Sequence, residues 1–243
     1  MIVLFTDFGP SWLYTGQVKA VLLRDAPGVP VVDLLDDVPA YRIQGAAYLL
    51  ASLRAAFPPG TVFFSVVDPG VGGARPPAAV CAGGQWFVGP DNGLFEPVLR
   101  RSERARAWHI TWTPPRLSAT FHGRDLFGPV AAALAQGRPV PGIECDPDEL
   151  RRSDWPDDLA EIIYVDGYGN AITGIRAAVV APAAALTVGG IRISRGRTFC
   201  DVSSGTLLCY ENANGLIEIA VNQGRAADAL GVACGSPVAI ERV

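Results

Sequence analysis

Apolar positions in the first part of the chain switch repeatedly between strand-like runs and helical spacing. Ile2 to Thr6 is a short apolar run that ends in the polar turn Asp7-Phe8-Gly9. Gly16 to Arg24 places Val18, Val21 and Leu22 on one helical face. Val29 to Leu35 is a second β-rich run, and Ile43 to Phe57 reads as an amphipathic helix stopped by Pro58-Pro59-Gly60. Thr61 to Val67 is a third strand, ending at Asp68-Pro69-Gly70. Ala78 to Cys81 and Trp86 to Val88 form a strand pair around Gly83-Gly84. Asp125 to Gln136 has helical spacing and is ended by Gly137.

Strand–helix–strand alternation predicts a mainly parallel sheet flanked by helices, an α/β domain over residues 1–150. The stretch from Pro139 to Asp158 is rich in Pro, Asp and Glu and lacks periodicity, so a linker is placed there, at residues 151–160. Beyond it the pattern changes to short strands separated by turns. These are Glu161–Val165, Ala184–Val188, Gly190–Ile193, Thr206–Cys209, Ile217–Val221 and Val238–Ile240. They predict a smaller all-β domain, barrel or sandwich, over residues 161–243. No internal repeat or low-complexity segment is visible.

Composition narrows the class. Hydrophobic residues are 49% and charged residues 18% of 243, which suits globular cores and excludes disorder. A net charge of −4 offers no broad footprint for nucleic acid. No stretch approaches the roughly 20 apolar residues of a membrane span, and MIVLFTDFG lacks the basic start of a signal peptide. Five scattered cysteines without a CxxC pair read as reduced thiols, which points to a cytoplasmic protein. The two histidines and separated thiols form no closed metal-ligand set, and neither a phosphate loop nor a GxSxG elbow occurs.

In an α/β sheet reactive groups sit beyond the carboxyl ends of the strands. Asp7 follows the first strand and Asp68 the third, so both belong on one rim. Asp68-Pro69-Gly70-Val71-Gly72 is followed by Arg75. A carboxylate and a guanidinium at that spacing serve a loop salt bridge as well as a site. His122 lies at a loop-to-helix junction in Thr120-Phe121-His122-Gly123-Arg124-Asp125, where a proton acceptor is well displayed, though a capping role is also open. His109 reads as a strand residue. Asp7 could accept hydrogen bonds from a ribose diol or cap a turn. Gly89-Pro90-Asp91-Asn92-Gly93 is a turn signal first. Asp166-Gly167-Tyr168-Gly169-Asn170 could be a plain turn or a purine-stacking segment.

Taken in order, T6-D7-F8-G9, D68-P69-G70-V71-G72 with Arg75, P90-D91-N92-G93, T120-F121-H122-G123-R124-D125, Y168-G169-N170 and E218-I219-A220-V221-N222 resemble the S-adenosyl-L-methionine (SAM) hydroxide adenosyltransferase family, relatives of the 5′-fluorinase and 5′-chlorinase. The resemblance runs from about residue 2 to the C-terminus. It implies hydrolysis of SAM to adenosine and methionine, with SAM as substrate and no cofactor. It also implies a homotrimer, with the nucleoside where one subunit's N-terminal domain meets a neighbour's C-terminal domain. An Asp–Arg–His set maps onto Asp68, Arg75 and His122. Asp7 would hold the ribose hydroxyls, and Tyr41 would pack near the sugar. Asp166 would pair with the methionine ammonium, while Tyr168 and Asn170 would contact adenine. The Asn212-Ala213-Asn214 turn would meet the methionine carboxylate, and Gln223 would offer backbone to the adenine edge.

Some positions depart from the family pattern: Trp12, Asp36, Tyr168, Gly174 and Ala213. The halogenase alternative is disfavoured at Asp68, where the fluorinase carries tyrosine, because a carboxylate repels a halide in a low-dielectric pocket. The fluorinase also resembles Tyr-Ser at His122-Gly123 and carries an insertion absent between Ala79 and Trp86. The chlorinase lacks that serine too, so Gly123 alone does not decide. A non-catalytic nucleoside binder is the other open class.

Overall fold

The computed structural model describes residues 1–9 and 13–241, so Trp12 lies outside the described residues. The chain divides into two compact units. One comprises Met1–Ala51 and Phe57–Asp154, the other Ser52–Ala56 and Trp155–Val243.

The first unit holds a seven-stranded sheet. Its strands are β1 (Ile2–Thr6), β2 (Val31–Leu35), β3 (Val62–Val66), β4 (Pro77–Ala82), β5 (Gln85–Pro90), β6 (Ala105–Ile110) and β7 (Gly142–Cys145), in the order β2-β1-β3-β5-β4-β6-β7. The pairs β2-β1, β1-β3 and β3-β5 are parallel. The Gly83-Gly84 turn folds β4 back onto β5, and from there the sheet is antiparallel. The central strands β1 and β3 are buried along their whole length. That is why IVLFT and VFFSV read as continuous apolar runs and do not alternate.

The helices are α1 (Leu13–Asp25), α2 (Ile43–Leu53), α3 (Glu96–Arg100) and α4 (Gly128–Ala135). Val18 and Leu22 of α1 and Val130, Ala131 and Leu134 of α4 join Ile2, Leu4, Val62, Phe64 and Val66 in one core. The hydrophobic face expected at Gly16–Arg24 is therefore the face that packs.

The second unit is all-β apart from α5 (Ala226–Leu230) and short helical turns. Strands β8 (Leu159–Val165), β9 (Ala171–Arg176), β12 (Leu207–Glu211) and β13 (Leu216–Val221) form an antiparallel sheet ordered β12-β13-β9-β8. Strands β10 (Leu186–Val188), β11 (Ile191–Ile193) and β14 (Ala239–Ile240) form a second one. Ile175, Ile217 and Ile219 of the first share a core with Leu186, Val188 and Ile193 of the second.

The structure departs from the sequence reading in a few elements. The aperiodic stretch from Pro139 to Asp158 contains β7 and a helical turn at Pro147–Leu150, both before residues 151–160, where the linker is expected. β7 is only four residues long and pairs at the sheet edge, which leaves no periodic signature. β9 is central yet absent from the expected strands, because it starts directly after the Tyr168-Gly169-Asn170 turn and carries Gly174. The helix expected from Asp125 starts earlier, as a π-helical turn over Gly123–Phe127 that leads into α4.

Candidate active site

The parallel register pairs Thr6 with Val66, so β1 and β3 end side by side and deliver Asp7 and Asp68 to one rim. The register between β1 and β2 shifts at Leu4/Phe5, just before that delivery. A cavity of about 170 Å³ opens there, lined by Asp7, Asp68, His122, Phe8, Tyr14 and Phe121 among others. The three rings pack on one another, with centroids 5.1 Å apart for Tyr14–Phe121 and 5.9 Å for Phe8–Phe121.

Arg75 is the hub. Its Nε donates to both carboxylate oxygens of Asp68 at 3.0 Å, and its Nη2 donates to Asp68 Oδ2 as well. The same Nη2 lies 2.9 Å from His122 Nδ1. The Asp68 and Arg75 side chains are only 5% and 11% exposed, so the pair is largely shielded from solvent. The guanidinium also sits 5.3 Å from the Phe127 ring centre.

Two backbone features hold this trio. Gly72, at φ +77°, comes so close to Ala119 that an added Cβ would stand 2.4 Å from the Ala119 carbonyl oxygen. The loop carrying Asp68 and Arg75 therefore docks backbone-to-backbone on the segment carrying His122, and only glycine fits there. His122 stands at the N-cap position of the π-helical turn without a side-chain capping hydrogen bond, and π-helical turns are frequent at functional sites. At Gly123 an added Cβ would meet the Phe8 ring at 3.0 Å. The Pro90-Asp91-Asn92-Gly93 segment has a bracing role: Asn92 Nδ2 donates to the Val67 carbonyl at 2.8 Å, beside Asp68.

Burial pushes the Asp7 carboxyl up to about 6, with the nearby Asp68 charge adding to the effect. Burial, then the Arg75 charge, holds His122 below the ordinary histidine range. His122 is thus neutral at pH 7.

In the second unit, a separate cavity of about 710 Å³ is lined by Asp166, Tyr168, Asn170, Tyr210, Gln223 and neighbouring residues. The Asp166 carboxylate accepts from the Tyr168 and Asn170 backbone N–H groups at 2.9 Å and from Asn170 Nδ2 at 3.0 Å. Asn170 is buried, whereas Tyr168 presents its ring to solvent at 81% exposure. Gln223 accepts from Ser204 Oγ at 3.0 Å. Asn212 Oδ1 accepts from the Asn214 and Leu216 N–H groups, which fixes the turn through Ala213.

Tyr41 is 83% exposed and does not line the Asp7–Asp68 cavity. It has φ +63°, and Gln223 has φ +60°. Among the described residues these are the only two non-glycine residues in the left-handed region, and both are candidate site residues. Such strain concentrates at functional positions.

A family profile for the SAM hydroxide adenosyltransferase N-terminal domain matches residues 2–144. The profile for the C-terminal domain matches residues 160–239. The chain belongs to the SAM hydroxide adenosyltransferase family. It is 40% identical to a (R)-S-adenosyl-L-methionine hydrolase of Thermus thermophilus over 98% of each chain. A protein of the same name from Salinispora tropica is 37% identical over 95% of this chain and 93% of its own length. A fluorinase of an Actinoplanes species is more distant, at 26% over 58% and 56%. The crystal structure of an uncharacterized conserved protein from Thermotoga maritima superposes with a TM-score of 0.89 at 32% identity, covering all of both chains.

For this SAM hydroxide adenosyltransferase family member, sequence reasoning leaves out the aromatic walls, Phe8, Tyr14 and Phe121 in one cavity and Tyr210 in the other. Nothing in the local pattern separates a wall ring from a core ring. His109, Cys145 and Glu149, from three elements, bring donor atoms within 4.8 Å of one another, which no spacing rule could reveal. They share no residue with either cavity. Among the described residues no helix is long and apolar enough to cross a membrane.

Proposed function

We infer that this protein hydrolyses S-adenosyl-L-methionine to adenosine and L-methionine, with water attacking the 5′ carbon. The observation that carries this reading is the Arg75 fork, which ties Asp68 and His122 together at a small cavity rimmed by Asp7. The relatives' names add the R configuration at sulfur, and we propose that this chain acts on the same epimer.

The sulfonium is already a good leaving group, so the protein's task is to place water in line and take its proton. Positioning contributes several kcal/mol. A guanidinium has donors only. The Nη2–Nδ1 contact therefore requires an unprotonated Nδ1, and neutral His122 carries its proton on Nε2. Its one lone pair is occupied by Arg75, which leaves the imidazole as a donor that orients the water oxygen. Asp68 keeps lone pairs beyond those used by Arg75 and accepts the proton. Arg75 stays charged and steadies the developing hydroxide. As the C5′–O bond forms, the C5′–S bond breaks and its electron pair stays on sulfur, giving neutral methionine thioether. General-base help of this kind is worth about 10²–10⁴-fold.

Asp7 would take the ribose hydroxyls, with Tyr41 beside the sugar. Asp166, Tyr168, Asn170, Asn212, Ala213, Asn214 and Gln223 would take the methionine and adenine ends. We also propose a homotrimer in the cytoplasm; sedimentation of the purified protein tests the assembly. Two buried or half-buried carboxylates at the first cavity oppose a halide nucleophile, which favours water over the 5′-halogenase alternative.

The test is incubation with each sulfonium epimer of SAM in ¹⁸O-water, with and without chloride, followed by mass spectrometry. Adenosine labelled at the 5′ oxygen is expected from the R epimer. A 5′-chlorinated nucleoside would move the chain to the halogenase branch. Tight adenosine binding without turnover would make it a binder.

A further inference from the structure

The Pro90-Asp91-Asn92-Gly93 turn has no part in the chemistry above, yet it grips the loop that carries Asp68 and Arg75 at both ends. That loop contains Gly70, Gly72 and Gly73, residues that leave a free chain many conformations. At its start, Asn92 Nδ2 donates to the carbonyl of Val67, the residue before Asp68, at 2.8 Å. At its end, the Asp91 N–H donates to the carbonyl of Pro76, the residue after Arg75, at 2.9 Å. Pro90 stands opposite Pro77 in the β4–β5 pairing, so the turn leaves the sheet where the loop re-enters it. Neither Asp91 nor Asn92 is among the residues that line the Asp7–Asp68 cavity.

The turn is itself held from behind. Asn92 Oδ1 accepts from the Leu94 N–H at 3.2 Å, which turns the amide so that its NH2 faces Val67. The Asp91 carboxylate, 11% exposed, accepts from Arg152 Nη2 at 3.1 Å. The Arg152 backbone N–H in turn donates to Glu96 at 2.8 Å. Glu96 opens α3, is fully buried and also takes the Arg100 and Arg151 guanidinium groups. Its own N–H donates to the Gly93 carbonyl at 3.0 Å and closes the turn. Charge-assisted bonds to a buried carboxylate are strong, and removing one partner is costly, so the cluster is a firm anchor.

We propose that Asn92 is a positioning residue for the Asp68–Arg75 pair: with the Asp91 N–H it clamps the two ends of their loop, and the Glu96–Arg152–Asp91 chain of charges holds the clamp. The proposal rests on the hydrolase reading. Water must stand in line behind the 5′ carbon, so Asp68 and Arg75 serve the reaction in one geometry only. A misplacement of about 1 Å costs on the order of 10²-fold in rate. Asp7 reaches the rim from β1, not from this loop. Loosening the clamp therefore leaves the ribose contact in place, and the loss falls on kcat with little change in KM.

Asn92→Ala removes the donor to Val67. It is expected to lower kcat for SAM about 10- to 100-fold, with KM and adenosine affinity by calorimetry within about twofold of wild type. Because Asn92 acts through the pair, its effect should fade once the pair is broken. Added to Arg75→Lys, which loses the guanidinium fork, Asn92→Ala should cost less than about threefold more. Arg152→Ala, one step further out, should lower kcat about three- to tenfold, and Arg152→Lys should restore most of it. Fully multiplicative losses in the double variant would reduce Asn92 to scaffolding and overturn the proposal. So would an unchanged kcat, or losses of SAM and adenosine binding that match the fall in kcat. Should Asn92→Ala not fold, Arg152→Ala and its lysine rescue decide by the same kcat–KM split. Hydrogen exchange reads the clamp without turnover. The Val71 and Gly73 amides, which donate to the Asp68 and Gly70 carbonyls, should exchange faster in Asn92→Ala while β3 keeps its protection, and unchanged exchange overturns the clamp. If the wild type binds SAM but does not turn it over, the hydrolase reading fails while the exchange comparison still decides whether Asn92 holds the loop.

Discussion

The two cavities solve opposite electrostatic problems. In the first unit the buried carboxylate of Asp68 is paired with a guanidinium that also contacts His122, which burial first and the Arg75 charge second hold below the ordinary histidine range. Charge there is satisfied inside the protein, as a site needs when it must hold water and release a proton. In the second unit the carboxylates of Asp166 and Glu218 are hydrogen-bonded to neutral donors, and among the described residues no cation pairs with either. The lesson is that a buried acid's partner, more than its burial, separates a chemical role from a binding one.

The largest break in that contrast is Arg75→Ala. It leaves a buried carboxylate unpaired, and turnover should fall by about 10³-fold or more while adenosine still binds by calorimetry. Full activity would remove the fork from the mechanism. His122→Ala should likewise abolish turnover and spare adenosine binding.

Next is Tyr168→Ala, on the binding side. An exposed ring that stacks on a purine is worth about 1–3 kcal/mol, so KM should rise about tenfold or more, with kcat and thermal stability unchanged. A fall in kcat alone would place Tyr168 in the chemistry.

Asp7 gives a smaller, pH-resolved effect. Its carboxyl titrates at about 6 in the folded protein, so kcat/KM should decline as pH falls through that value. Asp7→Asn should have a low kcat/KM without that limb. If the limb persists in the variant, it belongs to His122.

The smallest effect is on stability. A folded pKa above the ordinary 3.8 means that the favourable contribution of protonated Asp7 is complete below 3.8 and is lost as pH rises through about 6. Asp7→Asn should therefore be more stable than wild type at pH 7.5, by about 1 kcal/mol for a partly solvated carboxylate, and no more stable at pH 3.5. Chemical denaturation at the two pH values reads the difference.

Much of this was legible in the chain because local rules suffice where burial is uniform. Ile2–Thr6 and Thr61–Val67 are apolar throughout since both faces of β1 and β3 are covered, and parallel strands that end together bring Asp7 and Asp68 to one rim. The turn at Asp166–Asn170 was visible in its glycines, and so was the change to an all-β second region. Less legible were short elements in which glycine and turn residues mask the period, as in β7 and β9.

Sequence alone determined the residue chemistry on offer: a carboxylate and a guanidinium seven positions apart, one histidine at a helix start, and a tyrosine in a glycine turn. Only the tertiary structure decided which of these meet and in what state. Arg75 reaches His122 across 47 positions because Gly72 lets one loop's backbone press against Ala119 of the other. Glu218 sits opposite Tyr210 because of a strand register. Contacts of that kind depend on packing and pairing between segments distant in the chain, and no local pattern encodes them.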